Sequence, residues 1–140
     1  MRVGMSDFTE DQLDAIWKKA KVVEGLDAEK FRLDAADALM ARDKYGEEGY
    51  MFAWQVDHIY PKARLKKLGV KEELWDDLRN LRPMNAKNNE SKGDDYPDYK
   101  ASYEYDRDQG ENKEVESHWT IKASVQDGLA ALFGLKDVKS

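Results

Sequence analysis

The sequence contains no cysteine, only three prolines and only two histidines in 140 residues. Without cysteine, a disulfide scaffold, a cysteine-ligated zinc ribbon and a thiol nucleophile are all excluded. No apolar run approaches the roughly 18 residues of a membrane-spanning helix, and the N-terminus lacks the apolar core of a signal peptide. We therefore expect a cytoplasmic protein with no membrane partner.

The residues that are present predict one globular domain with a very polar surface. Hydrophobic residues make up 41% of the chain, enough for a modest core at this length, and charged residues make up 37%. No internal repeat or low-complexity block divides the chain. We therefore treat residues 1–140 as a single domain.

The charge of the chain is −6 at neutral pH, and it is distributed unevenly. Residues 61–92 carry nine basic and five acidic side chains, whereas residues 1–60 and 93–117 are strongly acidic. One basic stretch in an acidic protein is compatible with an anionic ligand that is held locally. A solvated, charged helix face explains the same pattern, and charge alone favours that second interpretation.

Local patterns predict helices near both ends of the chain. Thr9 and Gln12 have the spacing of a capping box, which indicates the start of a first helix. A second helix is predicted from Asp27, as N-cap, to about Lys44, with an apolar face that is rich in alanine. The same periodicity predicts a last helix over about 124–135.

The centre of the chain has the signals of short strands. Residues 51–60 are rich in aromatic and β-branched side chains and stop at a proline, which predicts a strand. A second short strand is predicted over 80–84, followed by a helix over 86–92 with Asn85 as its N-cap. The remaining predictions are helical segments over 62–68 and 71–78 and an acidic, tyrosine-rich loop over 94–114.

Polar side chains follow these central elements in a specific order. Asp57 and His58 lie near the end of the first predicted strand, Asn80 begins the second, and Asn89 and Lys92 lie on the helix. Each pair alone is a weak signal, but the three pieces in this order within forty residues are specific. The pattern resembles the ββα-metal core of the HNH endonuclease family, over roughly residues 50–97.

The resemblance implies an α+β fold in which a ββα-metal (His-Me finger) core is flanked by N-terminal and C-terminal helices. Many members of the family pin this core with a cysteine-ligated zinc, which this chain cannot do. The expected division of residues 1–140 is a helical N-terminal part (7–46), the core (about 50–97), the acidic loop (94–114) and a C-terminal helix (about 124–135).

The resemblance also implies a metal-dependent hydrolysis of DNA phosphodiester bonds. His58 would be the general base that activates water, and Asn80 would brace the connecting loop and so orient His58. Asp57 and Asn89 would hold one divalent metal ion, Mg²⁺ or Mn²⁺, and Lys92 would lie near a phosphate. Further expected DNA contacts are the basic side chains of Lys62, Arg64, Lys66, Lys67 and Arg82.

Two other classes of function remain open from the sequence. A non-catalytic DNA-binding or phage assembly component could keep the HNH fold without its activity. An interaction protein that mimics DNA would account for the acidic segments, although it has no need of a base beside a metal ligand. The oligomeric state and any protein partner that supplies targeting are left open.

Overall fold

The structure, a computed structural model, describes residues 8–135 and has a mixed α+β fold. Its helices are α1 (Glu10–Trp17), α2 (Lys62–Lys67), α3 (Glu72–Trp75), α4 (Ala86–Lys92) and α5 (Ala123–Phe133). Its strands are β1 (Phe31–Leu33), β2 (Leu39–Ala41), β3 (Trp54–His58), β4 (Leu81–Asn85), β5 (Asp98–Asp106) and β6 (Glu111–Thr120). Within residues 8–135, no helix is both long and apolar enough to cross a membrane.

The first helix begins as its capping box predicts. The Thr9 side chain accepts a hydrogen bond from the backbone N–H of Gln12, and the Gln12 side chain accepts one from the N–H of Thr9. α1 buries Ile16 and Trp17, and the Trp17 ring lies 5.2 Å from that of Trp54 on β3. The helix therefore covers one face of the β3–β4 pair.

The predicted helix from Asp27 to Lys44 is wrong, because this segment forms the β1–β2 hairpin. The Asp34 carboxylate accepts hydrogen bonds from the N–H groups of Ala36 and Ala38, which closes a turn instead of continuing a helix. Of the residues that suggested a helix face, Ala38 and Leu39 are instead buried at the end of this turn and in β2.

The predicted acidic loop over 94–114 is also wrong in its larger part. This region forms the first two thirds of a long hairpin in which β5 pairs with β6, and the four residues between the strands make the turn. Only a narrow strip of the hairpin is deeply buried, chiefly at Tyr99 and Ala101. The acidic side chains at the remaining positions stay in water. Acidic residues are uncommon in strands, so the sequence of this segment does not predict a strand.

The centre of the chain agrees with the predicted elements. β3 pairs antiparallel with β4, from Trp54 opposite Asn85 to His58 opposite Leu81. α4 follows β4 directly, has the predicted bounds, and packs across both strands. The predicted helical segments are present in the connection over 59–80 as α2 and α3, and the predicted last helix is α5.

Each named strand forms a ladder with one other strand only, so within residues 8–135 the three two-stranded sheets need other links. Four buried side chains, here called the polar hub, supply them: Asp34, Asn85, Asn88 and Asn112. The second Asp34 oxygen accepts from the Asn85 N–H at 3.0 Å and from the Asn88 side chain at 3.1 Å. Asn112 on β6 bonds to both backbone groups of Leu39, and Asn88 bonds to the backbone of β5.

We predict that Asp34→Asn destabilises the fold. The substitution puts an NH₂ group where one carboxylate oxygen accepts two buried N–H donors, which then lack an acceptor. We expect the free energy of unfolding to fall by about 2–5 kcal/mol, measured by urea denaturation. Asp37→Asn is the matched control, because it removes only a surface ion pair with Lys21 and should cost less than about 1 kcal/mol. Equal effects of the two substitutions would contradict the role of the hub.

Candidate active site

Asp57 is the centre of a buried ion-pair cluster on the β3–β4 pair. The antiparallel register puts Asp57 directly opposite Arg82. One carboxylate oxygen accepts from Arg82 Nε at 2.8 Å, and the other lies 3.3 Å from Lys92 Nζ. The Asp57 side chain is only 4% exposed, so these two cations provide the compensation that a buried carboxylate requires.

Lys92 joins the last turn of α4 to the end of β3. Its side chain is 0% exposed, and its ammonium also donates to the carbonyl oxygens of His58 and Ile59. Burial lowers the pKa of Lys92, and Asp57 opposes this effect. In this arrangement Lys92 does not reach the surface, so an ammonium–phosphate contact would require it to leave Asp57.

Arg82 differs from Lys92 in having an unused donor. Burial is the largest influence and would lower its pKa, but Asp57 and Tyr99 together outweigh burial through their charges and hydrogen bonds, and the pKa of Arg82 is raised. Its Nη2 is buried and has no hydrogen-bond partner among residues 8–135. The guanidinium carbon also lies 5.2 Å from the ring centre of Tyr99. The cluster therefore retains one N–H group that could bind an anionic oxygen.

Asn89 lies over the same face of β3 as Asp57. Its side-chain NH₂ donates to the Gln55 side chain at 2.8 Å, and Gln55 precedes Asp57 by two residues, which puts both on one face of the strand. Within the described residues no hydrogen bond is made to the Asn89 side-chain oxygen. The structure therefore brings a carboxylate on β3 and an amide oxygen on α4 to one side of the sheet.

His58 contacts a residue that sequence reasoning missed. Its Nε2 lies 2.6 Å from Oδ1 of Asp76, which follows α3 in the connection between the two strands. The side chains of His58 and Asp76 are 14% and 59% exposed, respectively. No spacing in the sequence indicates this contact, because it depends on the path of the whole connection.

Asn80 is fully buried and ties together the two ends of that connection. Its side-chain oxygen accepts from the Tyr60 N–H at 2.8 Å, and its NH₂ donates to the carbonyls of Tyr60 and Trp75. Its own carbonyl accepts from the Ile59 N–H at 2.8 Å. The backbone that leaves His58 is therefore held on both sides of Tyr60.

The remaining predicted DNA contacts lie on α2, apart from the Asp57 cluster. They are all exposed: Lys62, Arg64, Lys66 and Lys67. Arg64 donates from Nε to the carbonyl of Asp94 at 2.7 Å, and the other three make no described hydrogen bond. They form a basic surface on the segment that also carries Asp76.

The oxygen donors of this site suit a hard divalent cation, although they are few. Among residues 8–135, no group of three or more acidic or histidine side chains is arranged to hold a metal ion. Mg²⁺, however, commonly uses one or two protein oxygens and keeps several waters. Asp57 and Asn89 fit that requirement in donor type, and the Asp57 oxygen near Lys92 has the longer and weaker of the two ion pairs.

No family model matches the chain, and no match is found among curated proteins or solved structures.

We predict that Lys92→Met destabilises the fold, because it removes one of the two cations that compensate buried Asp57. The free energy of unfolding should fall by about 3 kcal/mol, the typical result of breaking a buried ion pair on one side. Lys87→Met, on the exposed side of α4, is the matched control and should be nearly neutral. Urea denaturation of the two variants measures both effects. A neutral Lys92→Met would show that Arg82 alone compensates the carboxylate.

Proposed function

We propose that this chain is a metal-dependent endonuclease of the HNH type that hydrolyses DNA phosphodiester bonds, with β3, β4 and α4 as its ββα-metal core. The observation that carries the proposal is the joint position of Asp57 and Asn89. These two oxygen donors come from a strand and from the helix that packs on it. His58 follows Asp57 at the end of β3, so its side chain leaves the strand on the opposite face and would have to reach the phosphate around the strand end. Strands and helices are rigid supports for such a pair.

In this proposal His58 acts as general base and takes a proton from the attacking water. Histidine suits the task because its ordinary pKa lies close to neutral pH. Asn80 holds the backbone after His58 through Tyr60, so the imidazole starts from a fixed position. Asp57 and Asn89 would hold the divalent ion, which when bound supplies stabilisation of the charge that develops on the phosphate and the leaving oxygen.

Arg82 is the basic residue of the site with the strongest support as a phosphate contact. It is close to Asp57 at 2.8 Å, and its Nη2 has no partner within residues 8–135. A non-bridging phosphate oxygen would satisfy that NH₂ group, although Nη2 is buried and the residues that cover it would first have to move. The exposed lysines and arginine of α2 would contact the DNA backbone farther from the scissile bond.

We predict that the purified protein nicks plasmid DNA with Mg²⁺ or Mn²⁺ and that EDTA abolishes the activity. His58→Ala should reduce the rate at least about 100-fold, the scale of general-base catalysis. His118→Ala is the matched control, because His118 is the other histidine and lies exposed on β6. Cleavage that survives EDTA, or that His58→Ala and His118→Ala affect equally, would contradict the proposal.

We predict that Mn²⁺ binding, measured by calorimetry, weakens at least about tenfold in Asn89→Ala, since even indirect partners of a metal contribute on that scale. Glu90→Ala, which removes an exposed charge at the next position of α4, is the control and should bind as wild type does. Asp57→Ala is a poorer variant, because it leaves Arg82 and Lys92 buried without their anion. Equal binding by Asn89→Ala and wild type would exclude Asn89 as a ligand.

A second candidate function is a non-catalytic DNA-binding or phage assembly component. The observation that favours it is the pairing of both Asp57 oxygens with cations, which makes a metal ion compete with Lys92. This alternative predicts DNA binding without cleavage in either metal, and binding that is unchanged in His58→Ala.

A further inference from the structure

The contact between His58 and Asp76 defines which nitrogen of the imidazole carries a proton. Their atoms Nε2 and Oδ1 are 2.6 Å apart. An ionised carboxylate can only accept hydrogen bonds, so Nε2 must be the protonated nitrogen in this contact. In the neutral ring the remaining nitrogen, Nδ1, then carries the lone pair that can take a proton.

The buried side-chain amide of Asn80 fixes the backbone close to both His58 and Asp76. Asn80 bonds through its side chain to Tyr60, two residues after His58, and to the carbonyl of Trp75, which directly precedes Asp76. The Trp75 ring is fixed in turn by a hydrogen bond from its N–H to the carbonyl of Val70 at 3.0 Å. Asp76 therefore approaches His58 from a backbone that is anchored, although its own side chain is largely exposed.

We propose that Asp76 is a positioning residue for His58. It holds the ring in one orientation and keeps the proton on Nε2, so that Nδ1 accepts the proton of the attacking water. The proton moves from water to Nδ1, and the imidazolium keeps its Nε2–H on Asp76. The resulting hydroxide forms a new P–O bond as the P–O3′ bond breaks, and the 3′ oxygen leaves with the electron pair and takes a proton from solvent. The catalytic part of this inference rests on the proposed function. The position of the proton in the ring does not depend on that function.

An ordinary surface ion pair predicts a different result from a positioning role. Asp76 is more than half exposed, so its removal should change stability little in either case. A positioning role predicts that removal of the Asp76 carboxylate lowers kcat, because the His58 ring would then rotate and exchange its proton between the two nitrogens. It also predicts that a carboxylate one methylene longer restores part of the activity.

The kinetic test compares Asp76→Ala, Asp76→Glu and Glu73→Ala in the plasmid-nicking assay. We expect Asp76→Ala to lower kcat at least about tenfold with little change in KM, and Asp76→Glu to recover part of the loss. Glu73→Ala removes an exposed charge from α3 and should behave as wild type. An active wild type whose kcat is unchanged by Asp76→Ala overturns the proposal.

A second measurement keeps this inference separate from the proposed function. The ¹⁵N chemical shifts of the two histidines at alkaline pH report which ring nitrogen is protonated, with His118 as internal reference. We expect His58 to be protonated at Nε2 in wild type and to become a mixture in Asp76→Ala, while His118 does not change. His58 protonated at Nδ1 in wild type, or the same in both proteins, overturns the positioning role. If the shifts agree but the wild type cleaves no DNA, the proposed function fails and the position of the proton remains established.

Discussion

The fold depends on the buried hydrogen bonds of the polar hub. Isolated two-stranded sheets are marginally stable, and residues 8–135 form three of them with no strand ladder between them. Asp34 accepts two hydrogen bonds within its own turn, one from the N–H of Asn85 on β4 and one from the Asn88 side chain on α4. Asn112 connects β6 to β2 through the backbone of Leu39. A buried polar network is stabilising only when every member is satisfied, and here the carboxylate of Asp34 is.

The hub also determines where the candidate site lies. Asn85 caps α4 by accepting from the N–H of Lys87, and Asn88 fastens the same helix to β5. The next residue, Asn89, then faces Gln55 on β3, and Lys92 reaches Asp57 from the last turn. Asn88 therefore holds the helix in place, and the adjacent Asn89 is the residue that we propose as a metal ligand.

Local signals were sufficient for β3, β4 and α4, because their caps, proline and apolar runs all lie within the segment itself. They failed at the turn of Asp34, whose carboxylate finds part of its donors more than fifty residues away on β4 and α4. In the candidate site, the order of residues in the chain suggested Asp57 and Asn89 as metal ligands, which stays a prediction, and it gave no indication of their side-chain partners. Lys92 is buried against Asp57 rather than exposed, and Asp76 reaches His58 only through the folded connection.

The most direct test of the central claim is a crystal structure with Mn²⁺, in which anomalous scattering locates the metal. We predict one manganese ion in contact with the side-chain oxygens of Asp57 and Asn89, with the Lys92 ammonium displaced from Asp57. A structure that contains no manganese at this position, and in which Asp57 remains paired with both Arg82 and Lys92, would contradict it.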